Sequence, residues 1–208
     1  MSTATRSRAT PAEAEPGGPV VAVLPSGDRA MSVGTMLLVA ADFVVLGAIL
    51  AAYFSVKGSS QAWPPEGVEV GTYIPTVVTI TAVLGSFAAQ WALYAARRND
   101  QRNVAIGFSL AAFFGLAVAN AEWSALTEAG FGVASHPYGT FYFLLFGYHL
   151  VHVLAIVPLM GLVAGRAVAG HFPASRVGGV RATAIAWHAS TGLWYLIVTA
   201  LFLLSRHA

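Results

Sequence analysis

The stretch that decides the fold is Tyr138–Arg166, YGTFYFLLFGYHLVHVLAIVPLMGLVAGR. It contains no Asp, Glu, Lys or Arg before Arg166. At about 1.5 Å per residue, a helix of this length exceeds the hydrocarbon core of a bilayer, which is about 30 Å thick. His149 and His152 lie near its middle, where an ionisable side chain is costly unless it has a partner or a role. The stretch therefore predicts a membrane-spanning helix whose two histidines face the inside of a helical bundle.

The composition of the whole chain agrees with a membrane protein. Of its 208 residues, 57% are hydrophobic and 10% are charged, against about 25% charged residues in soluble domains. The formal net charge is only +2, and the basic residues are spread over loops, so no nucleic-acid partner is expected. The chain has no cysteine, which excludes disulfides, thiolate metal sites and c-type haem attachment.

Four further apolar stretches have a similar length, which predicts an all-α integral membrane bundle. The five transmembrane helices are expected at about residues 30–56, 72–96, 103–126, 138–165 and 182–205, within a domain of residues 30–208. Each stretch is near or above the roughly 20 residues that a spanning helix needs. Residues 1–29 are rich in Ala, Pro, Ser and Gly and predict a disordered cytoplasmic tail.

The basic residues predict the orientation of the bundle. Of the 11 Lys and Arg residues, all but two fall on one side of the predicted helices. That side carries Arg6, Arg8, Arg29, Arg97, Arg98, Arg102, Arg166, Arg176 and Arg181, and the other side carries Lys57 and Arg206. Because cytoplasmic segments are enriched in Lys and Arg, the N-terminus is expected in the cytoplasm and the C-terminus outside.

Two acids lie inside the predicted spans together with the histidines. Depths estimated from helix positions place Glu122 near His149 or His152 in the outer half, and Asp42 near His188 in the inner half. We predict these pairings because an unpaired charge is expensive in lipid, whereas a hydrogen-bonded one is tolerated. The pairs would fix the bundle through interhelical hydrogen bonds.

An alternative for the same groups is a metal site. His149 and His152 are three residues apart on one helix face, and Glu122 would supply a third ligand. A proton relay through Asp42 and His188 is a third possibility.

A second set of residues is predicted to meet lipid or the membrane interface. Tryptophan is enriched at that level, and arginines near helix ends can meet lipid phosphate. The set consists of Trp63, Arg97, Arg98, Trp187 and Trp194.

Four motifs in a fixed order resemble a known family. In this sequence they are Trp63–Gly67 (WPPEG) followed by Pro75, Glu122–Trp123, Gly147–Val153 (GYHLVHV), and Trp187–His188 with Trp194 six residues after the histidine. Together they make the chain similar to subunit III of the haem–copper terminal oxidases, the cytochrome c oxidases and quinol oxidases, over about Ala30–Ser205. Five helices instead of seven are typical of the shorter bacterial forms.

Three positions depart from the family pattern. Ala119 stands where a glutamine is common, and Thr191 stands where an aspartate is common. Asp42 replaces the glutamate that is frequent in cytochrome c oxidases, and is more like quinol oxidases and subunits linked to nitric oxide reductases. An accessory subunit of one of those two enzymes is therefore an alternative, and a metal-dependent membrane enzyme built on Glu122, His149 and His152 is a further one.

The resemblance implies a non-catalytic subunit of an aerobic respiratory complex that reduces oxygen and pumps protons. No catalytic, cofactor-binding or metal-binding residue is expected in this chain, and haem and copper would belong to the partner subunits. The chain would pack against subunit I, assemble with subunits I and II, bind phospholipid, and support proton uptake and the durability of the enzyme.

Overall fold

The computed structural model describes residues 26–173 and 175–204, and its regular elements are helices. They are α1 (Ser26–Gly58), α2 (Tyr73–Arg97), α3 (Gln101–Thr127), α4 (Pro137–Val168) and α5 (Gly178–Val198), which continues as a π-helical turn (Thr199–Leu203). Each of the five is long and apolar enough to cross a membrane. The predicted all-α bundle of five transmembrane helices is confirmed.

The helix ends differ by a few residues from the predicted ones. α1 and α5 each begin four residues earlier than expected, at Ser26 and Gly178. Residues 26–29 of the predicted tail therefore belong to α1, and the remainder of that tail lies outside the described residues.

Local sequence explains where two of the helices start. Asp100 caps α3, since its side chain accepts a hydrogen bond from the Asn103 N–H at 3.1 Å. This bond, with a second from the Asn103 side chain, holds the pKa of Asp100 below its usual value. The cap therefore stabilises at neutral pH and weakens as the pH falls through that lowered pKa. At α4, His136 accepts from the Gly139 N–H at 2.8 Å, and Pro137 occupies a first-turn position that needs no N–H.

Helices α2, α3, α4 and α5 form a four-helix core, and α1 lies outside it, mainly on α5 and less on α4. Among its described residues α1 buries only Ser32, Leu46 and Tyr53. The rest of its surface is apolar and open, as at Leu38, which is 70% exposed. In a bilayer such a surface faces lipid or another subunit.

The centre of the core is a fully buried tryptophan, Trp187 on α5, and two glycines make room for it. A Cβ atom on Gly85 would lie 2.8 Å from Trp187 Cζ2. A Cβ atom on Gly115 would lie 2.5 Å from Val157 Cγ2 and 3.3 Å from Trp187 Cζ3. The Trp187 indole N–H donates to the Ala82 carbonyl of α2 at 3.3 Å. The small residues therefore allow three helices to close around one large ring.

The loop between α1 and α2 is attached to the bundle by Trp63. Its indole N–H donates to the Tyr53 hydroxyl at 2.8 Å, and that hydroxyl lies 3.1 Å from the Ala200 carbonyl oxygen. The Trp63 ring packs edge-on against Tyr53 and Tyr138. It is buried, so it anchors the loop to the protein itself and does not face lipid, and its position at the level of the membrane interface stays a prediction.

Tyr53→Phe is expected to destabilise the chain by about 1 kcal/mol, because it removes a hydroxyl that joins the loop to the end of α5. Chemical unfolding of the purified chain in detergent micelles measures the loss. Tyr73→Phe, at a side chain that is 79% exposed, is the matched control and should change nothing. Equal effects of the two substitutions would contradict the anchoring role.

Candidate functional site

The deepest polar group in the bundle is a carboxylate–imidazole pair between α3 and α4. Glu122 is 0% exposed and His149 is 1% exposed. Glu122 Oε1 and His149 Nδ1 form a hydrogen bond. The other ring nitrogen, His149 Nε2, lies 3.1 Å from both the carbonyl oxygen and the Oγ of Ser190 on α5. The prediction that Glu122 pairs with a histidine of the fourth helix is confirmed.

The groups around the pair limit which of its atoms can carry protons. The Ser190 carbonyl can only accept, so a proton on His149 Nε2 satisfies it. His149 Nδ1 then either carries a second proton beside a carboxylate or accepts from a protonated Glu122. Both arrangements are electrically neutral overall, which is what a site away from water favours. Glu122 Oε2 is buried and has no hydrogen-bond partner among the described residues.

Trp194 covers this pair and extends it to a fourth helix. Its ring lies 5.0 Å from the His149 ring, and its N–H donates to Thr79 Oγ1 of α2 at 2.9 Å. The network thus joins α2, α3, α4 and α5 across the interior. Trp194 and Trp187 are almost fully buried, so their predicted lipid or interface positions are wrong. Their large rings fill the space between helices.

The second acid pairs differently from the prediction. Asp42 Oδ1 lies 3.2 Å from His152 Nε2, while His152 Nδ1 lies 2.8 Å from the Tyr148 carbonyl. The Tyr148 hydroxyl donates to the Asp42 carbonyl oxygen at 3.1 Å, which closes the seam between α1 and α4. The side chain of Asp42 is 37% exposed and that of His152 is 22% exposed. The predicted pairing of Asp42 with His188 is wrong.

Depth within the bundle agrees with the observed pairing. Because α1 starts at Ser26, Asp42 lies about 24 Å from its beginning at 1.5 Å per residue. His152 lies about 24 Å from the end of α4, on the same side of the bundle, whereas His188 is only about 15 Å into α5. The two partners therefore match in depth, and His188 does not.

His188 instead contacts Gln90 of α2, with 3.3 Å between its Nε2 and the amide Oε1. Gln90 and Ser190 were both missed by sequence reasoning, since a single amide or hydroxyl in an apolar helix carries no pattern. The only available signal was that each lies within a predicted span.

The three groups of the metal-site alternative are not brought together. His149 binds Glu122 of α3, whereas His152 binds Asp42 of α1. Within residues 26–173 and 175–204, no group of three or more His, Cys, Asp or Glu side chains is arranged to hold a metal ion.

A cleft of about 570 Å³ opens where α1 begins, α4 ends and α5 begins. Its polar wall is mainly basic, with Arg166, His171 and Arg176 beside one acid, Asp28, and its apolar wall includes Met31 and Leu162. Arg166 also stacks over the Phe172 ring, with Cζ 5.5 Å from the centroid. The other predicted interface arginines, Arg97 and Arg98, are exposed at the end of α2. Their contact with lipid stays a prediction.

Comparison with known proteins identifies the family of this chain. Residues 22–205 match the family described as cytochrome c oxidase subunit III. The chain belongs to this family. It is 25% identical over 174 residues to cytochrome c oxidase subunit 3 of Thermostichus vulcanus, covering 83% of this chain and 87% of that one. It is 27% identical over 180 residues to the corresponding protein of Corynebacterium diphtheriae, covering 83% and 88%.

Two departures of this subunit III from the family pattern lie beside its polar networks. Ala119 is buried one turn before Glu122, so the common glutamine side chain is missing on the helix where Glu122 Oε2 has no hydrogen-bond partner among the described residues. Thr191 hydrogen-bonds Ser86 Oγ at 3.1 Å and the Trp187 carbonyl at 3.1 Å, which joins α5 to α2 without the common aspartate. Both positions therefore carry uncharged side chains in this protein.

Proposed function

We propose that this multi-pass subunit III is a structural, non-catalytic component that packs on subunit I of a proton-translocating cytochrome c oxidase. The main support is how the acids and histidines within its helices are paired. Glu122 and Asp42 each bind a histidine of α4, so these groups join helices. Membership of the family implies assembly with the other oxidase subunits, and the redox centres are assigned to those partners.

The complex would lie in a bacterial plasma membrane with the N-terminus of this chain in the cytoplasm. The distribution of Lys and Arg supports this orientation. By stabilising the subunit beside it, the chain would support proton uptake and the durability of the oxidase during turnover.

Purification in a mild detergent tests the assignment. The chain is expected to co-purify with haem-containing subunits, seen in the optical spectrum and by mass spectrometry of the bound polypeptides. A colourless chain that purifies alone with stoichiometric metal would contradict the accessory role.

The basic cleft is our candidate site for a bound phospholipid. Arg166 and Arg176 offer guanidinium groups to a lipid phosphate, and Met31, Leu159 and Leu162 offer apolar surface to an acyl chain. The cleft lies at the helix ends where lipid headgroups meet the bilayer core. An anionic phospholipid is thus the ligand that fits both walls.

The variant Arg166→Ala/Arg176→Ala is expected to lose most of the phospholipid that purifies with the complex, because both phosphate-binding groups are gone. Quantitative lipid extraction of the purified complex measures it. Arg102→Ala, at an exposed arginine outside the cleft, is the control and should retain the wild-type amount. Equal lipid content in the two variants would rule out this cleft.

A further inference from the structure

Gln90 and His188 form a polar pair that is partly exposed on the surface of the bundle. Gln90 is exposed on α2, and His188 is partly buried on α5. At 1.5 Å per residue, Gln90 lies about 10 Å before the end of α2 at Arg97, and His188 about 15 Å after the start of α5. Both therefore lie within the apolar spans, below the level of the helix ends.

The two side chains of this pair cannot satisfy all of each other's hydrogen-bond donors and acceptors. With the observed contact, His188 Nε2 donates to Gln90 Oε1, which leaves the ring Nδ1 as an acceptor and the amide NH₂ as a donor. Exchanging the amide oxygen and nitrogen reverses the roles but again leaves one donor and one acceptor. No described residue forms a further hydrogen bond with either side chain. The Asp42–His152 pair differs, since both nitrogens of its ring have partners.

The pair lies in a groove between α1 and α2. Both helices pack on α5 and little on each other. Phe87 and Tyr94, one turn to either side of Gln90, are 70% and 50% exposed. On α5, Gly192 lies one turn after His188, and a Cβ atom there would meet only Phe43 of α1, at 3.4 Å. Exposed aromatic rings beside a small residue are typical of surfaces where another helix approaches closely.

We propose that this groove, formed by Phe87, Gln90 and Tyr94 of α2 with His188 and Gly192 of α5, receives a transmembrane helix of a partner oxidase subunit. The partner helix presents an amide or hydroxyl side chain to the pair, because hydrocarbon tails offer neither a donor nor an acceptor. An amide or hydroxyl supplies both. The inference rests on the proposed function and identifies the surface of the chain through which it would contact a partner subunit.

Site-specific photo-cross-linking in the assembled complex tests the proposal. A benzophenone amino acid replaces Phe87 in the groove, and in a matched variant replaces Phe113 on α3, which is 63% exposed. After irradiation of membranes, adducts are identified by mass spectrometry. The variant at position 87 is expected to form an adduct with one partner subunit, and the variant at position 113 is not.

Several outcomes would overturn the proposal: an adduct of position 87 only with lipid or with a second copy of this chain, or the same partner adduct from both positions. If the complex purifies with haem but position 87 forms no partner adduct, this inference fails while the proposed function stands. If the chain carries no haem-containing partner at all, the proposed function itself fails.

A second variant tests the polar contact itself. Gln90→Leu keeps a side chain of comparable size but removes the amide, and is expected to lower retention of the chain in the washed complex about three-fold, as for one interhelical hydrogen bond. Gln61→Leu makes the same change in the exposed loop before α2 and should leave retention unchanged. Unchanged retention of Gln90→Leu would show that its amide makes no partner contact.

Discussion

Replacing His149 by leucine is expected to destabilise the bundle by about 3–5 kcal/mol, the usual cost of leaving one member of a buried pair alone. Glu122 is fully buried, and His149 is the only hydrogen-bond partner found for it in the described part of the chain. Without the imidazole, the carboxyl group has neither a donor nor water. Unfolding of the purified chain in a detergent titration, followed by tryptophan fluorescence, measures the loss.

The double variant Glu122→Leu/His149→Leu separates the effect of an orphaned carboxyl from the effect of lost packing. Since both polar groups are removed together, we expect it to be more stable than His149→Leu alone. Glu122→Gln should be milder than either, because an amide can still hydrogen-bond the ring. A double variant at least as unstable as the sum of both single variants would contradict this account of the pair.

Gly115→Val is expected to destabilise the chain by about 3 kcal/mol, because even a Cβ atom at this position would lie 2.5 Å from Val157 Cγ2. α3 and α4 would have to separate, or Trp187 would have to move. Gly161→Val is the matched control on α4, since no atom lies within 4 Å of its Cβ position. Its effect should stay within about 0.5 kcal/mol, as helix propensity alone decides it.

The Val157→Ala background shows whether the contact is the cause. There the cost of Gly115→Val should fall, although the nearby ring of Trp187 keeps it above zero. An unchanged cost in that background would place the strain elsewhere.

The five helices could be predicted from the sequence because each apolar stretch is long and bounded by charged or loop residues. The pairing of Glu122 with α4 could also be predicted, since a buried carboxyl needs a partner and the only histidines at its depth lie on that helix. The partner of Asp42 could not, because α1 and α5 both begin four residues earlier than predicted and the depths of Asp42 and His188 shift together. Which histidine meets Asp42 depends on how the helices pack beside α1, and that is not visible in the sequence.

The tryptophans show a second limit of sequence reasoning. An indole near the end of an apolar stretch is compatible with the membrane interface and with the protein core. Trp187 and Trp194 lie in the core because Gly85 and Gly115 open a space for one ring and His149 lies beneath the other. Whether a tryptophan lies in the core or at the interface depends on which helices are neighbours, and no local sequence pattern shows this.

Depletion of this chain from the assembled oxidase tests the accessory role most directly. The oxygen-consumption rate and the haem spectrum are recorded for the intact complex and for the complex stripped of this chain. The account predicts an unchanged haem spectrum and initial oxygen reduction after depletion, with a faster loss of activity during turnover that re-addition of the chain prevents. Loss of a haem or metal signal together with the chain, or no activity from the first turnover, would contradict it.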